Sequence, residues 1–128
     1  MSLKASCCCK QLSIEIEGEP AFQAICHCSN CKARTGSAFG YSVYFTNEQV
    51  KEVAGEKSDY LINTENKQSR HFCPTCGTTL YWYVEKIPGM VGVAGGCFPI
   101  GVLSEPQYSS SSEGQCSWVA LPESMQKV

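Results

Sequence analysis

Seven of the ten cysteines in this 128-residue sequence fall into three tight clusters. Cys7 and Cys9 stand one residue apart, Cys26, Cys28 and Cys31 form a C-H-C-x-x-C run, and Cys73 and Cys76 bracket Pro74-Thr75 ahead of Gly77. Thiolates at such spacings are zinc ligands, and zinc holds them deprotonated at neutral pH. A structural zinc takes four protein ligands, whereas a catalytic zinc keeps one position free for water or substrate. Four plus three thiols therefore read as one closed and one open Zn2+ site, and the open site points to an enzyme. Spacing alone lets Cys73 and Cys76 pair either with Cys7 and Cys9 or with two of the middle three.

Cysteine at this density also marks small secreted scaffolds held by disulfides. Met1-Ser2-Leu3-Lys4 has no apolar run behind its single positive charge, and Ser6-Cys7-Cys8-Cys9-Lys10 is too polar and short for a signal core. A Cys-x-Cys pair in an extended strand puts both sulfurs on one face, which favours chelation over mutual bonding. Zinc in a cytoplasmic setting is the expectation. A redox sensor whose clusters become disulfides on zinc loss is the thiol-based alternative, separable by counting free thiols before and after mild oxidation.

The elements that must position these thiols are short strands. Leu12 to Gly18 alternates apolar and polar residues, and further strands are expected over Phe22 to Cys26, Tyr41 to Phe45, Asp59 to Asn63, Ser69 to Phe72, Thr79 to Val84 and Met90 to Ala94. Cys7 and Cys9 are placed on the first strand, with Cys8 on its opposite face. A helical turn is expected from Ser29 to Thr35, with Ser29 as N-cap and Gly36 as stop, and another near Asn47 to Val50. The class is all-β with antiparallel pairing, and residues 1–128 form a single domain. The formal net charge is -2 and the basic residues are scattered, which disfavours nucleic acid and anionic membranes, and no apolar run has the length of a membrane span. Nothing in the composition opposes a homo-oligomer.

Read in order, Cys7-x-Cys9, Cys26-His27-Cys28-x-x-Cys31 followed by a basic residue and Gly36, and Arg70-x-Phe72-Cys73-x-x-Cys76-Gly77-x-x-Leu80 resemble the glutathione-dependent formaldehyde-activating enzyme family, which also contains centromere protein V. Gly95, Pro106, Trp118 and Leu121-Pro122 are similar to its weaker C-terminal pattern. The resemblance implies a tent-like fold of stacked antiparallel sheets with a zinc knuckle. It implies a structural zinc on Cys7, Cys9, Cys73 and Cys76 and a catalytic zinc on Cys26, Cys28 and Cys31. The implied reaction joins glutathione and formaldehyde into S-hydroxymethylglutathione, or cleaves it, which is carbon-sulfur lyase chemistry in which the open zinc position polarises the aldehyde or binds the thiolate. No motif nominates a general base.

Two positions depart from the family pattern: Lys10 stands where Gly is usual and Lys32 where Arg is usual, and Cys8 is an additional thiol. Arg grips a carboxylate through two parallel hydrogen bonds whereas Lys offers a point charge, so Lys32 and Arg34 are candidates for the thiol substrate's carboxylate, against the plainer reading as solvated charge. His27 is expected to turn away from the metal and pack, and His71 to be structural. Cys97, on a glycine-rich loop, either approaches and closes the open site or is a buried small hydrophobe, and Cys116 is read as the latter. Tyr81, Trp82 and Tyr83 are expected on the core and sheet faces, with one of them able to line a cleft. The rival to an enzyme is a non-catalytic zinc scaffold in which all seven cysteines are architectural.

Overall fold

Period-two alternation buries Ile14 and Ile16 completely, together with Leu12, and leaves Glu17 at the surface. In the computed structural model, which describes residues 1–128, this segment is β2 (Ser13–Glu17), flanked by β1 (Ser2–Ser6) and β5 (Val50–Ala54) in a three-stranded antiparallel sheet of order β1-β2-β5. The remaining strands form one eight-stranded sheet: β3 (Phe22–Cys26), β4 (Gly40–Thr46), β6 (Ser58–Ile62), β7 (Gln68–Phe72), β8 (Thr79–Val84), β9 (Met90–Ala94), β10 (Tyr108–Ser110) and β11 (Gln126–Lys127). Their order is β11-β10-β3-β4-β9-β8-β7-β6. The all-β, antiparallel expectation holds for most of the molecule.

The two sheets share one core. Ala5, Leu12, Ile14 and Ile16 from the small sheet and its turn pack with Val43, Phe45, Leu80, Val91 and Val93 of the large one. Because alternate residues point to opposite faces, the other face of the large sheet presents Phe22 and Ala24 of β3, Ser42 and Tyr44 of β4, Trp82 of β8 and Arg70 of β7. The helix α1 (Ser29–Thr35) lies beside that face and packs on β4. One side of the sheet thus holds the molecule together and the other lines a cavity.

Four expectations are corrected. Cys7 and Cys9 are not on a strand, since β1 ends at Ser6 and both lie in the turn to β2, where Cys7 N–H donates to Leu12 O at 2.9 Å and Lys10 N–H to Cys7 O at 3.0 Å. The N-cap of α1 is Cys28, not Ser29, because the Cys28 sulfur accepts from Cys31 N–H at 3.3 Å; Gly36, left-handed at φ 62°, ends the helix as expected. The helical turn expected near Asn47 is present as a 3-10 turn, held by Gln49 Oε1 accepting from Thr46 N–H at 2.8 Å, but it gives way at once to β5, a strand that was not expected. Finally, β10 and β11 are additional strands, and β10 runs parallel to both β3 and β11. No helix is long and apolar enough to cross a membrane.

Candidate metal centres and cavity

The C-H-C-x-x-C run sits where a strand becomes a helix. Cys26 ends β3, Cys28 caps α1, and Cys31 lies in the first turn of the helix, so the break in backbone direction gathers three sulfurs that a continuous strand would disperse. Their sulfurs lie within 4.8 Å of one another, and Cys26 and Cys28 are 3.4 Å apart. The contact with Cys31 brings the Cys26 thiol down to about 4, and the same contact pushes Cys31 strongly up. One thiolate here suppresses the next, so three can coexist only beside a cation. His27 points away from this group, as expected: it is fully buried, its Nε2 shares a 3.0 Å hydrogen bond with Ser109 Oγ, and its ring packs on Phe39.

The other four cysteines converge from two turns. Cys7 and Cys9 come from the β1–β2 turn and Cys73 and Cys76 from the turn after β7, so the structure groups the first pair with the last, a choice that spacing left open. Cys9 lies 3.7 Å from Cys7 and 3.6 Å from Cys73, sulfur to sulfur. Four sulfurs around a tetrahedral ion at Zn–S distances of about 2.3 Å stand about 3.8 Å apart, so the donor set and its geometry fit Zn2+. Leu12 N–H donates to Cys7 Sγ at 3.2 Å. The Thr78 hydroxyl, 3.2 Å from Cys76 Sγ, and then the Thr78 N–H bring that thiol down to about 5. Gly77 takes φ 79° as the second turn closes, and Lys10 takes φ 70° in the first, the left-handed conformation that favours glycine.

The three-cysteine group opens on a cavity of about 600 Å3 whose floor is the outer face of the large sheet. Phe22 stacks on Tyr44 at 4.8 Å, Trp82 Nε1–H donates to the Tyr44 hydroxyl at 3.3 Å, and the Arg34 guanidinium lies 4.0 Å above the Trp82 ring. Two glycines make room for this stack. A Cβ on Gly92 would stand 2.2 Å from Trp82 Nε1, and one on Gly40 would stand 2.6 Å from Arg34 Nη2 and 3.1 Å from Cys31 Cβ.

A family model described as glutathione-dependent formaldehyde-activating enzyme matches residues 2–113. The chain belongs to that family. Among proteins assigned to the glutathione-dependent formaldehyde-activating enzymes, one from Colletotrichum graminicola is 31% identical over 85 residues, and one from Fusarium vanettenii is 29% identical over 84. Those matches cover 66% of this chain but only 44% and 45% of the relatives, so the chain spans less than half the length of the curated proteins it matches. A crystal structure of a Rhodobacter sphaeroides protein superposes with a TM-score of 0.62 at 25% identity, covering 77% of this chain and 89% of that one.

Within this formaldehyde-activating-enzyme fold the two candidate substrate cations separate. Arg34 lines the cavity, half-buried, and its Nη2 is buried without a partner. Lys32 is not part of that lining, and its Nζ donates to the Gly114 carbonyl. Cys97 does not approach the three-cysteine group: it packs against the core and lines a groove shared with Cys7 and Cys8. His71 is structural, with Nδ1 2.7 Å from Asp59 Oδ1 and its ring stacked on Tyr81. Trp82 is the aromatic residue of its trio that lines the cleft, while Tyr81 joins the core. Sequence reasoning did not single out Arg70 for the site, yet it lines the cavity at 7% exposure. Its signal was present as period two on β7, which puts Gln68 and Arg70 on the cavity face and His71 on the other.

Proposed function

We propose that this protein is a zinc-dependent carbon-sulfur lyase that forms or cleaves the S-hydroxymethyl adduct of glutathione, or of a similar thiol, with formaldehyde or another small aldehyde. The observation that carries the reading is the difference in thiol count against location: the group with only three sulfurs is the one that opens on a large cavity. Cys26, Cys28 and Cys31 would hold the catalytic zinc, and Cys7, Cys9, Cys73 and Cys76 the structural one. Zinc bound at Cys26, Cys28 and Cys31 would supply a Lewis acid that polarises a carbonyl oxygen and acidifies a thiol.

The chemistry balances without a further reactant. The thiol sulfur bonds to the carbonyl carbon, the carbonyl π bond breaks, and the thiol proton ends on the oxygen; cleavage reverses each change. What the protein contributes is placement: the walls hold two small reactants together where bulk water is thinned, and such confinement accelerates a bimolecular addition. Arg34 stands beside Cys31, close to where the adduct must form. No side chain is assigned as general base.

The test is exchange spectroscopy by NMR at equilibrium among formaldehyde, glutathione and their adduct. Zinc-loaded protein should accelerate exchange, and Cys31→Ala should abolish the acceleration. If zinc-loaded protein accelerates no thiol–aldehyde pair, the domain is a zinc scaffold.

A further inference from the structure

The hydrogen bond that braces β6 on β7 is one link in a longer chain of polar contacts. His71 and Asp59 are direct partners across the two strands, and His71 Nδ1 lies 2.7 Å from Asp59 Oδ1. On the other side of the ring, Nε2 lies 3.3 Å from the hydroxyl of Ser69, two residues earlier on β7 and therefore on the same face. The Asp59 carboxyl is held below its usual range, first by Lys57 Nζ donating to Oδ1 at 2.8 Å and then by His71. An ionised carboxylate only accepts, so the ring proton sits on Nδ1 and Nε2 is left to accept from the Ser69 hydroxyl. His71 is 9% exposed and its ring is clamped, stacked on Tyr81 at 4.6 Å and edge-on to Tyr83 at 5.6 Å.

Carboxylate, imidazole and hydroxyl in that order are the parts of a general-base relay for an oxygen nucleophile, an arrangement recognised by geometry and not by sequence position. Of the three, Ser69 alone lines a groove of about 430 Å3. The groove belongs to the face of the large sheet opposite the three cysteines, since Ser69 and Arg70 point to opposite sides of β7. Leu61 and Tyr83, the cross-strand neighbours of Ser69, give it apolar walls that the fold leaves exposed. Lys67 and Glu85 line it with opposite charges, so it selects neither sign. A bracing role accounts for the link between His71 and Asp59, and not for the groove in front of Ser69.

We propose that Ser69, His71 and Asp59 form a second active site, which hydrolyses uncharged carboxylic esters and uses none of the cysteines. Ser69 Oγ bonds to the acyl carbon, the carbonyl π bond breaks to leave an oxyanion, and the hydroxyl proton passes to His71 Nε2. The carbonyl then re-forms, the ester C–O bond breaks, and the Nε2 proton leaves with the alcohol. Water repeats the two steps on the acylated serine and releases the acid. Asp59 is a positioning residue that keeps the ring oriented and its proton on Nδ1. The Asn63 amide and the Lys67 ammonium, both in the groove lining, are the donors available to the oxyanion.

The experiment treats zinc-loaded protein with two probes: p-nitrophenyl acetate, whose hydrolysis releases a coloured phenolate, and an alkyl fluorophosphonate, which phosphonylates an activated hydroxyl. Wild-type protein should take up a single phosphonyl group, mapped by mass spectrometry to Ser69, and should hydrolyse the ester. Ser69→Ala should lose both. His71→Gln should lower the hydrolysis rate at least about 100-fold. Asp59→Asn, a change at the surface, should lower kcat at least about tenfold with KM unchanged, a split that loss of a brace alone would not produce. Absence of an adduct at Ser69 in the wild type overturns the proposal without recourse to any variant. So does ester hydrolysis that survives in Ser69→Ala, which would assign it to exposed thiols such as Cys8. If His71→Gln fails to fold, an unchanged kcat in Asp59→Asn has the same force.

Discussion

The two cysteine groups are built from the same ligand type but answer to different surroundings. Cys7 and Cys73, at 0% and 1% exposure, sit in the shared core of the two sheets, and their group ties the turn after β1 to the turn after β7, bridging positions 64 residues apart. Cys26, Cys28 and Cys31 are all half-buried, come from one stretch of chain, and face a cavity. A metal that joins distant segments acts on the folding equilibrium, because no preformed site exists in the unfolded chain. A metal held by one short segment at a cavity wall does little to constrain the rest of the chain. The comparison teaches that the role of a thiolate cluster is read from what it connects and what it faces as much as from its count.

The largest expected effect follows from breaking the closed group. Structural zinc is worth on the order of 10 to 16 kcal/mol in small domains, comparable with the whole stability of a protein this size. Cys73→Ala should therefore abolish a cooperative thermal transition or lower it drastically, while Cys31→Ala should melt close to wild type. Similar destabilisation by the two changes, measured on metal-loaded protein, would erase the distinction between the groups. The next effect concerns the metal itself. Elemental analysis should give two zinc ions per chain, and mild chelation should release the one at Cys26, Cys28 and Cys31 first, with the thermal transition preserved. A single release that coincides with unfolding would break the comparison.

The smallest effect sharpens it. Lys10 holds a left-handed backbone in the turn that carries Cys7 and Cys9, at a cost of roughly 1 to 2 kcal/mol for a residue with a Cβ, partly offset by the roughly 0.5 to 1 kcal/mol of extra freedom glycine has in the unfolded chain. Lys10→Gly should raise the melting temperature by about 2 to 5 °C and leave thiol–aldehyde exchange untouched. A change in exchange rate would mean that the two groups communicate.

Much of this was legible in local sequence because local sequence controls it. Phe22 to Cys26, Thr79 to Val84 and Met90 to Ala94 are rich in aromatic and β-branched residues, and their strands have the bounds their composition implies. The three clusters were visible for the same reason, since chelating spacings are short. Cys7 and Cys9 were misplaced onto a strand because a Cys-x-Cys pair in an open turn has the same spacing as one in an extended segment. Cys28 displaced Ser29 as helix cap because its sulfur, one residue earlier, reaches the Cys31 N–H. The least legible features were those created by distant pairing. β10 is a three-residue strand made of Tyr108, Ser109 and Ser110, with too little apolar character to announce itself. Arg70 reads as an ordinary polar strand residue until its pairing with Trp82 across the sheet sets it in the cavity wall.

The parallel placement of β10 has a consequence for how the molecule assembles. Parallel partners cannot be joined by a tight turn, and Ile25 and Ser110 meet at a sequence separation of 85. Contacts at that separation form only after the closure entropy of a long loop has been overcome, so they come late among folding events. Tyr108, Ser110 and Ser111 are also part of the cavity wall. The core shared by the two sheets can thus be in place while the chamber still lacks a side, and the chamber is finished only when β10 docks against β3.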